Sequence, residues 1–217
     1  MKKKILVVLL VLIFLYCIGG VIYSVLISQK DNTDKTTNVL IKIDGYDYFI
    51  DEKRESSLYI NEFKNLKENL ESDEINIDDY IKCIAKLYII DLYSLNSKNN
   101  KYDVTSTQYV NEQIRDNFKL KVSETIYKYI EDNSDNLRKQ ELPQVSEVVI
   151  KNVETVYYLL NDVEISAYKV NVEWLYEKDL GYDTSANLIL INDNNMVSVL
   201  EESRVEDVEL SLQDESN

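Results

Sequence analysis

Residues 146–178 read SEVVIKNVETVYYLLNDVEISAYKVNVEWLYEK, and this stretch decides the fold. A period of two runs on both sides of Asn161-Asp162. In the second half Tyr168, Val170, Val172, Trp174 and Tyr176 share a face, while Lys169, Asn171, Glu173 and Glu177 take the other. Successive side chains of a strand point to opposite sides, so the pattern predicts two long antiparallel strands joined by a tight turn, with one face dry. Beyond it, Asp179-Leu180-Gly181 turns the chain, TSANLILI (184–191) reads as a third strand, NDNN (192–195) turns it again and MVSVLEE (196–202) reads as a fourth. The result is an antiparallel meander.

Upstream of Pro143 the period lengthens. Tyr59, Phe63, Leu66 and Leu70 fall on one side of a helix starting near Ser57, with Lys64, Lys67 and Glu68 opposite. A second helix starts near Asn76, with Asp78 and Asp79 in its first turn, where carboxylates suit the helix dipole. Its body, YIKCIAKLYIIDLYSL, is apolar nearly all round and so reads as buried on most faces. Thr105 and Gln108 have the spacing of a capping box. They predict one long helix through Val110, Ile114, Phe118, Val122, Ile126 and Ile130, stopping at EDNSDN (131–136). Before all of these, NVLIKIDGYDYFID (38–51) predicts two short strands about an Asp44-Gly45 turn. Helices followed by a meander give an α+β fold: about three helices packed on one face of a curved antiparallel four-stranded sheet, residues 39–202.

The N-terminus adds a membrane element. Ile5 to Ile27 is a run of 23 residues without a charge. As a helix it would reach roughly 35 Å, enough to cross a bilayer with some tilt. A cleaved signal has a shorter apolar region closed by small residues, and no alanine occurs before Ala85. The bulky Phe14-Leu15-Tyr16 ahead of Cys17 rules out a lipobox on steric grounds. An uncleaved transmembrane helix over 5–27 is therefore expected. Lys2, Lys3 and Lys4 form a cytoplasmic flank at 1–4 and place everything after the span outside. Residues 28–38 read as a polar stalk and 203–217 as an acidic flexible tail.

Composition narrows the chemistry. Net charge is −15, and without the three leading lysines 21 basic residues face 39 acidic ones. Such a surface repels the phosphates that dominate nucleic-acid binding, so no nucleic-acid partner is expected. Histidine is absent, which removes histidine triads and histidine–metal sites. Outside the span Cys83 stands alone, so no disulfide and no CxxC chemistry is available, and the thiol reads as a core residue of low reactivity. Four glycines, two of them in the span, build no phosphate-cradling loop. No metal and no cofactor is expected. Many of the 17 tyrosines read as half-buried, with hydroxyls in water.

An anchor, then helices, then four antiparallel strands with the aromatic YKVNVEWLYEK segment (168–178) resembles the cone-shaped nuclear-transport-factor-2-like (cystatin-like) domains. In layout it is similar to the extracytoplasmic domain of the inner-membrane assembly subunit of type IV secretion and conjugation systems. KLYIIDLYSLN (86–96) and DLGYDTSANLILI (179–191) also resemble segments of small anchored bacterial proteins. The resemblance implies a cone whose mouth holds enzymes, ligand sites or scaffold contacts in different members.

Six residues are singled out. Asp91 is one acid inside an apolar helix, with Tyr88 and Tyr93 beside it in sequence; it reads as a pocket carboxylate or as half of an ion pair. Tyr168, Trp174 and Tyr176 read as core or as the lining of a ligand cavity. No catalytic set emerges, since the acids placed on strands are expected mostly to face water. Three functions remain: a non-catalytic anchored scaffold or assembly factor touching envelope proteins or itself, a binder of a small apolar or peptide ligand in the cone, and a carboxylate-based envelope enzyme.

Overall fold

The computed structural model of the chain describes residues 40–203. The expected cytoplasmic flank, membrane span and stalk, and the tail beyond Ser203, lie outside the described residues. Among the described residues no helix is long and apolar enough to cross a membrane.

The fold is α+β. A short hairpin, β1 (Leu40–Lys42) and β2 (Phe49–Asp51), precedes helices α1 (Ser57–Leu70) and α2 (Ile77–Tyr93). After 3-10 turns comes α3 (Arg115–Glu124), then β3 (Val145–Leu160), β4 (Val163–Tyr176), β5 (Ser185–Asp193) and β6 (Met196–Ser203). The last four strands form one antiparallel sheet in the order β3-β4-β5-β6. The two turns expected at 161–162 and 192–195 are tight because asparagine and aspartate tolerate left-handed backbone. Asn161, Asp162, Asn194 and Asn195 all have φ between 50° and 65°.

Local chemistry fixes the helix ends. Ser56 caps α1 by accepting from the Tyr59 amide, and Asn76 caps α2 by accepting from the Asp78 and Asp79 amides. The Asn69 side chain clamps the connection, accepting from the Asn76 amide at 2.9 Å and donating to the Asn76 carbonyl at 2.8 Å. Of α2, Ile81, Ile84, Leu87, Tyr88 and Ile89 are all within 1 % of full burial. The helix lies against β3, β4 and β6. Trp174, Val170, Val172, Leu188 and Leu190 form the sheet side of the same core. Cys83 is buried in it, and burial pushes its thiol up to about 12.

Two expectations are corrected here. The long helix from Thr105 is broken into 3-10 turns at Ser106–Tyr109 and Glu112–Ile114 before α3 begins. Thr105 makes no cap, because its hydroxyl is used on Asp91. Val110 is extended and bridges Val199, and the Asn111 amide donates to the Val199 carbonyl at 2.9 Å, so this segment lines the edge of β6. The α3 end is early because Ser123 and Thr125 hydroxyls bond back to the Leu120 and Lys121 carbonyls, an alternative to continued helix.

The tyrosines are the second correction. Tyr48, Tyr59, Tyr80, Tyr88, Tyr109 and Tyr127 are at least 98 % buried, and their hydroxyls bond to protein groups. The Val197 amide donates to the Tyr80 oxygen at 3.1 Å, and Tyr48 donates to the Val197 carbonyl at 2.8 Å. The proton left on Tyr80 serves the Tyr48 oxygen, 2.8 Å away. Tyr59 and Tyr109 meet at 2.5 Å, with Gln108 donating to Tyr59 and accepting from the Phe49 amide. These bonds tie the first hairpin to α2 and β6.

Candidate functional site

Asp91 sits two residues before the last residue of the capped helix α2 and is 4 % exposed. An isolated carboxylate there would be costly, and Lys98, 3 % exposed on the loop after the helix, balances it at 2.8 Å. Thr105 completes the group. It donates to the same Asp91 oxygen, Oδ1, and accepts from Lys98 Nζ at 2.6 Å. The loop bearing Lys98 is tied from outside by Arg138, whose guanidinium donates to the Lys98 carbonyl at 2.6 Å and the Asn96 carbonyl at 2.8 Å.

This ion pair forms part of the wall of a pocket of about 240 Å³. Arg54 and Glu55, from the turn before α1, also line it, and Ser97, Asn96 and Gln144 supply neutral polar groups. Ile90 is the one apolar side chain in the lining. Glu55 is half-buried, and its carboxyl is pushed up to about 7, first by burial and then by the charge of Asp91; Lys98 and Arg54 oppose the shift without cancelling it. The pocket is polar, and Tyr168, Trp174 and Tyr176 take no part in it.

Four of the singled-out residues gather elsewhere. Tyr88 donates to Glu202 Oε2 at 2.6 Å, and Tyr93 donates to Glu202 Oε1. The Tyr93 ring lies 4.5 Å from Trp174, and Tyr176 is close enough to raise the Tyr93 hydroxyl electrostatically. Tyr176 itself donates to the Asp183 carbonyl at 2.8 Å. Burial is the chief cause that raises the pKa of Glu202; the two tyrosine hydroxyls and the charge of Lys121 act against it. Tyr168 is half-buried on the face of Trp174, six residues or roughly 20 Å along β4, and belongs to neither group.

The expectation that strand acids mostly face water has an exception at Glu202. It lies on β6 opposite Leu188, on the core side of the sheet. The strand period gives no signal of this: counted by two from Val197 and Val199, Glu202 falls on the other face, and a bulge between the partners of Ile189 and Leu190 shifts the register and turns it inward. Lys98 was missed as well, since SKNNK reads as an ordinary loop. Glu173 behaves as expected, exposed and 3.2 Å from Lys151.

Among the described residues no cluster of three or more His, Cys, Asp or Glu is placed to hold a metal ion. No family model matches this chain, and no match was found among curated proteins or solved structures.

Proposed function

We propose that the chain is a single-pass, membrane-anchored protein whose extracytoplasmic domain acts as a scaffold or assembly factor through contacts with other envelope proteins. The observation that carries this reading is the outer part of the β3–β4 hairpin. Val156-Tyr157-Tyr158-Leu159-Leu160 is apolar on both faces, the pattern of a strand covered on both sides. One side is partly covered: Val156, Tyr158, Leu160 and Ile165 pack with Ala167, Ile191 and Leu200 in a small second cluster. On the other, Tyr157 is 80 % exposed and Leu159 65 % exposed. Asp162 at the turn and Glu164, paired with Leu159, are exposed acids beside this apolar patch.

A partner that fits has an apolar groove with a basic rim, the charge complement of that border. Aromatic and aliphatic side chains left bare on a projecting hairpin supply contact area without contributing to the core. The outer edge of β3 is a poorer docking surface, because the bulges beside Ser146 and Lys151 and the charges of Glu147, Lys151 and Glu154 blunt it against strand addition. The charge-free run at 5–27 with lysines before it supports the anchored topology, and an anchor raises the effective concentration of partners in the same membrane. The helix-then-meander order is what the nuclear-transport-factor-2-like resemblance implies, and the cone shape stands as part of the proposal.

Native gel electrophoresis of gently solubilised membranes tests the reading. The full chain should migrate in a larger complex, and the double variant Tyr157→Ser, Leu159→Ser should release it as a folded monomer. Unchanged migration of that variant would refute the hairpin as the contact surface.

A further inference from the structure

The pocket beside α2 is not consumed by its own contacts. Asp91 uses one oxygen, Oδ1, for both Lys98 and Thr105, while Oδ2 accepts no hydrogen bond from a described residue. Glu55 likewise accepts none, although it is half-buried against the same space. Two carboxylate groups with vacant lone pairs thus border one cavity from two separate segments, and the side chains of Asn96, Ser97 and Gln144 bring further polar atoms.

We propose that this pocket binds a small molecule carrying a primary ammonium group, held between the carboxylates of Glu55 and Asp91. An ammonium has three donors and no acceptor, which suits two carboxylates and one neutral oxygen. At about 240 Å³ the space falls below the roughly 300–1,000 Å³ of drug-sized sites, so the occupant is small. Calcium takes about six to eight oxygens, more than two carboxylates provide.

The charge balance explains the preference. Facing Glu55 are Asp91 and Lys98 from α2 and the loop after it, with Arg54 from its own turn and Asp51 from the end of β2. Their net effect, with burial, leaves Glu55 holding a proton about half the time near neutral pH. An ammonium replaces that proton and restores the ionised carboxylate, so binding releases hydrogen ions. Lys98 does not serve in its place, because it is committed to Asp91 and Thr105.

The test uses the full-length chain in non-ionic detergent, titrated calorimetrically with n-butylamine in two buffers of different ionisation enthalpy. Uncharged 1-butanol and anionic butyrate serve as controls. Saturable binding of butylamine alone is expected, about tenfold tighter at pH 8 than at pH 6, with release of about half a proton at pH 7. Glu55→Gln, a nearly isosteric change, should abolish both binding and proton release without lowering the urea midpoint. Arg54→Ala, at an exposed position, should strengthen binding by removing a competing cation. No butylamine binding, an equal response to 1-butanol or butyrate, or binding unchanged in Glu55→Gln would overturn the proposal.

Discussion

The β3–β4 hairpin is one pair of strands with two different surroundings. At its root, Val145, Val170, Val172 and Trp174 are nearly inaccessible, covered by α2 and the core. At its tip, Tyr157, Leu159 and Val163 are 80 %, 65 % and 60 % exposed. Both halves are ladder-paired and equally rich in β-branched and aromatic residues. What differs is the cover. The comparison teaches that apolar strand residues in this chain have two uses, stability where α2 lies over them and contact where it does not. Changes in the body should therefore move stability, and changes at the tip should move association.

The largest effect should come from the body's buried ion pair. Lys98→Met leaves Asp91 uncompensated and should cost about 3–5 kcal/mol in urea unfolding, whereas adding Asp91→Leu should recover most of that loss. A loss near zero for Lys98→Met would mean that the pair is more solvated than its burial implies. Next come the tyrosines on Glu202: Tyr88→Phe or Tyr93→Phe removes one donor from an inward carboxylate and should cost about 1–3 kcal/mol.

A pH effect sharpens the same contrast. Glu55 is pushed up to about 7, and Glu202 is raised too, so the native state binds more protons than the unfolded chain above the ordinary glutamate value of about 4.3. The stability these two groups contribute is complete below that value and is lost as pH rises, through about pH 7 for Glu55. Urea midpoints at pH 5 and pH 7.5 should differ less in Glu55→Gln than in the parent; an identical difference would contradict the assignment. The smallest stability effect belongs to the tip, where Tyr157→Ser and Leu159→Ser should each stay within about 0.5 kcal/mol.

Much of this was legible in the sequence. The meander followed from the period of two in 146–178, and the helix starts from Ser56, Asn76 and their neighbours, because these are local signals that tertiary structure left in place. The helix expected from Thr105 failed because a capping pattern is local while the hydroxyl was claimed by Asp91, whose place next to Thr105 is a tertiary fact. Burial of the tyrosine hydroxyls was invisible for the same reason: each is satisfied by a partner at least 32 residues away. At the candidate site, Asp91 was visible as one acid in an apolar helix. Lys98, Glu55 and Glu202 were not, since a loop lysine, a turn glutamate and a strand-end glutamate carry no sequence mark of burial.

The division between a stabilising body and a contacting tip is tested most directly by site-specific photocrosslinking in intact membranes. A photoreactive residue placed at position 157 is compared with one at position 173, an exposed site lower on the same hairpin. The account predicts a discrete crosslinked product from 157 that is lost when Leu159 is changed to Ser, and none from 173. Equal products from both positions, or none from 157 while the chain still runs in a larger complex, would contradict it.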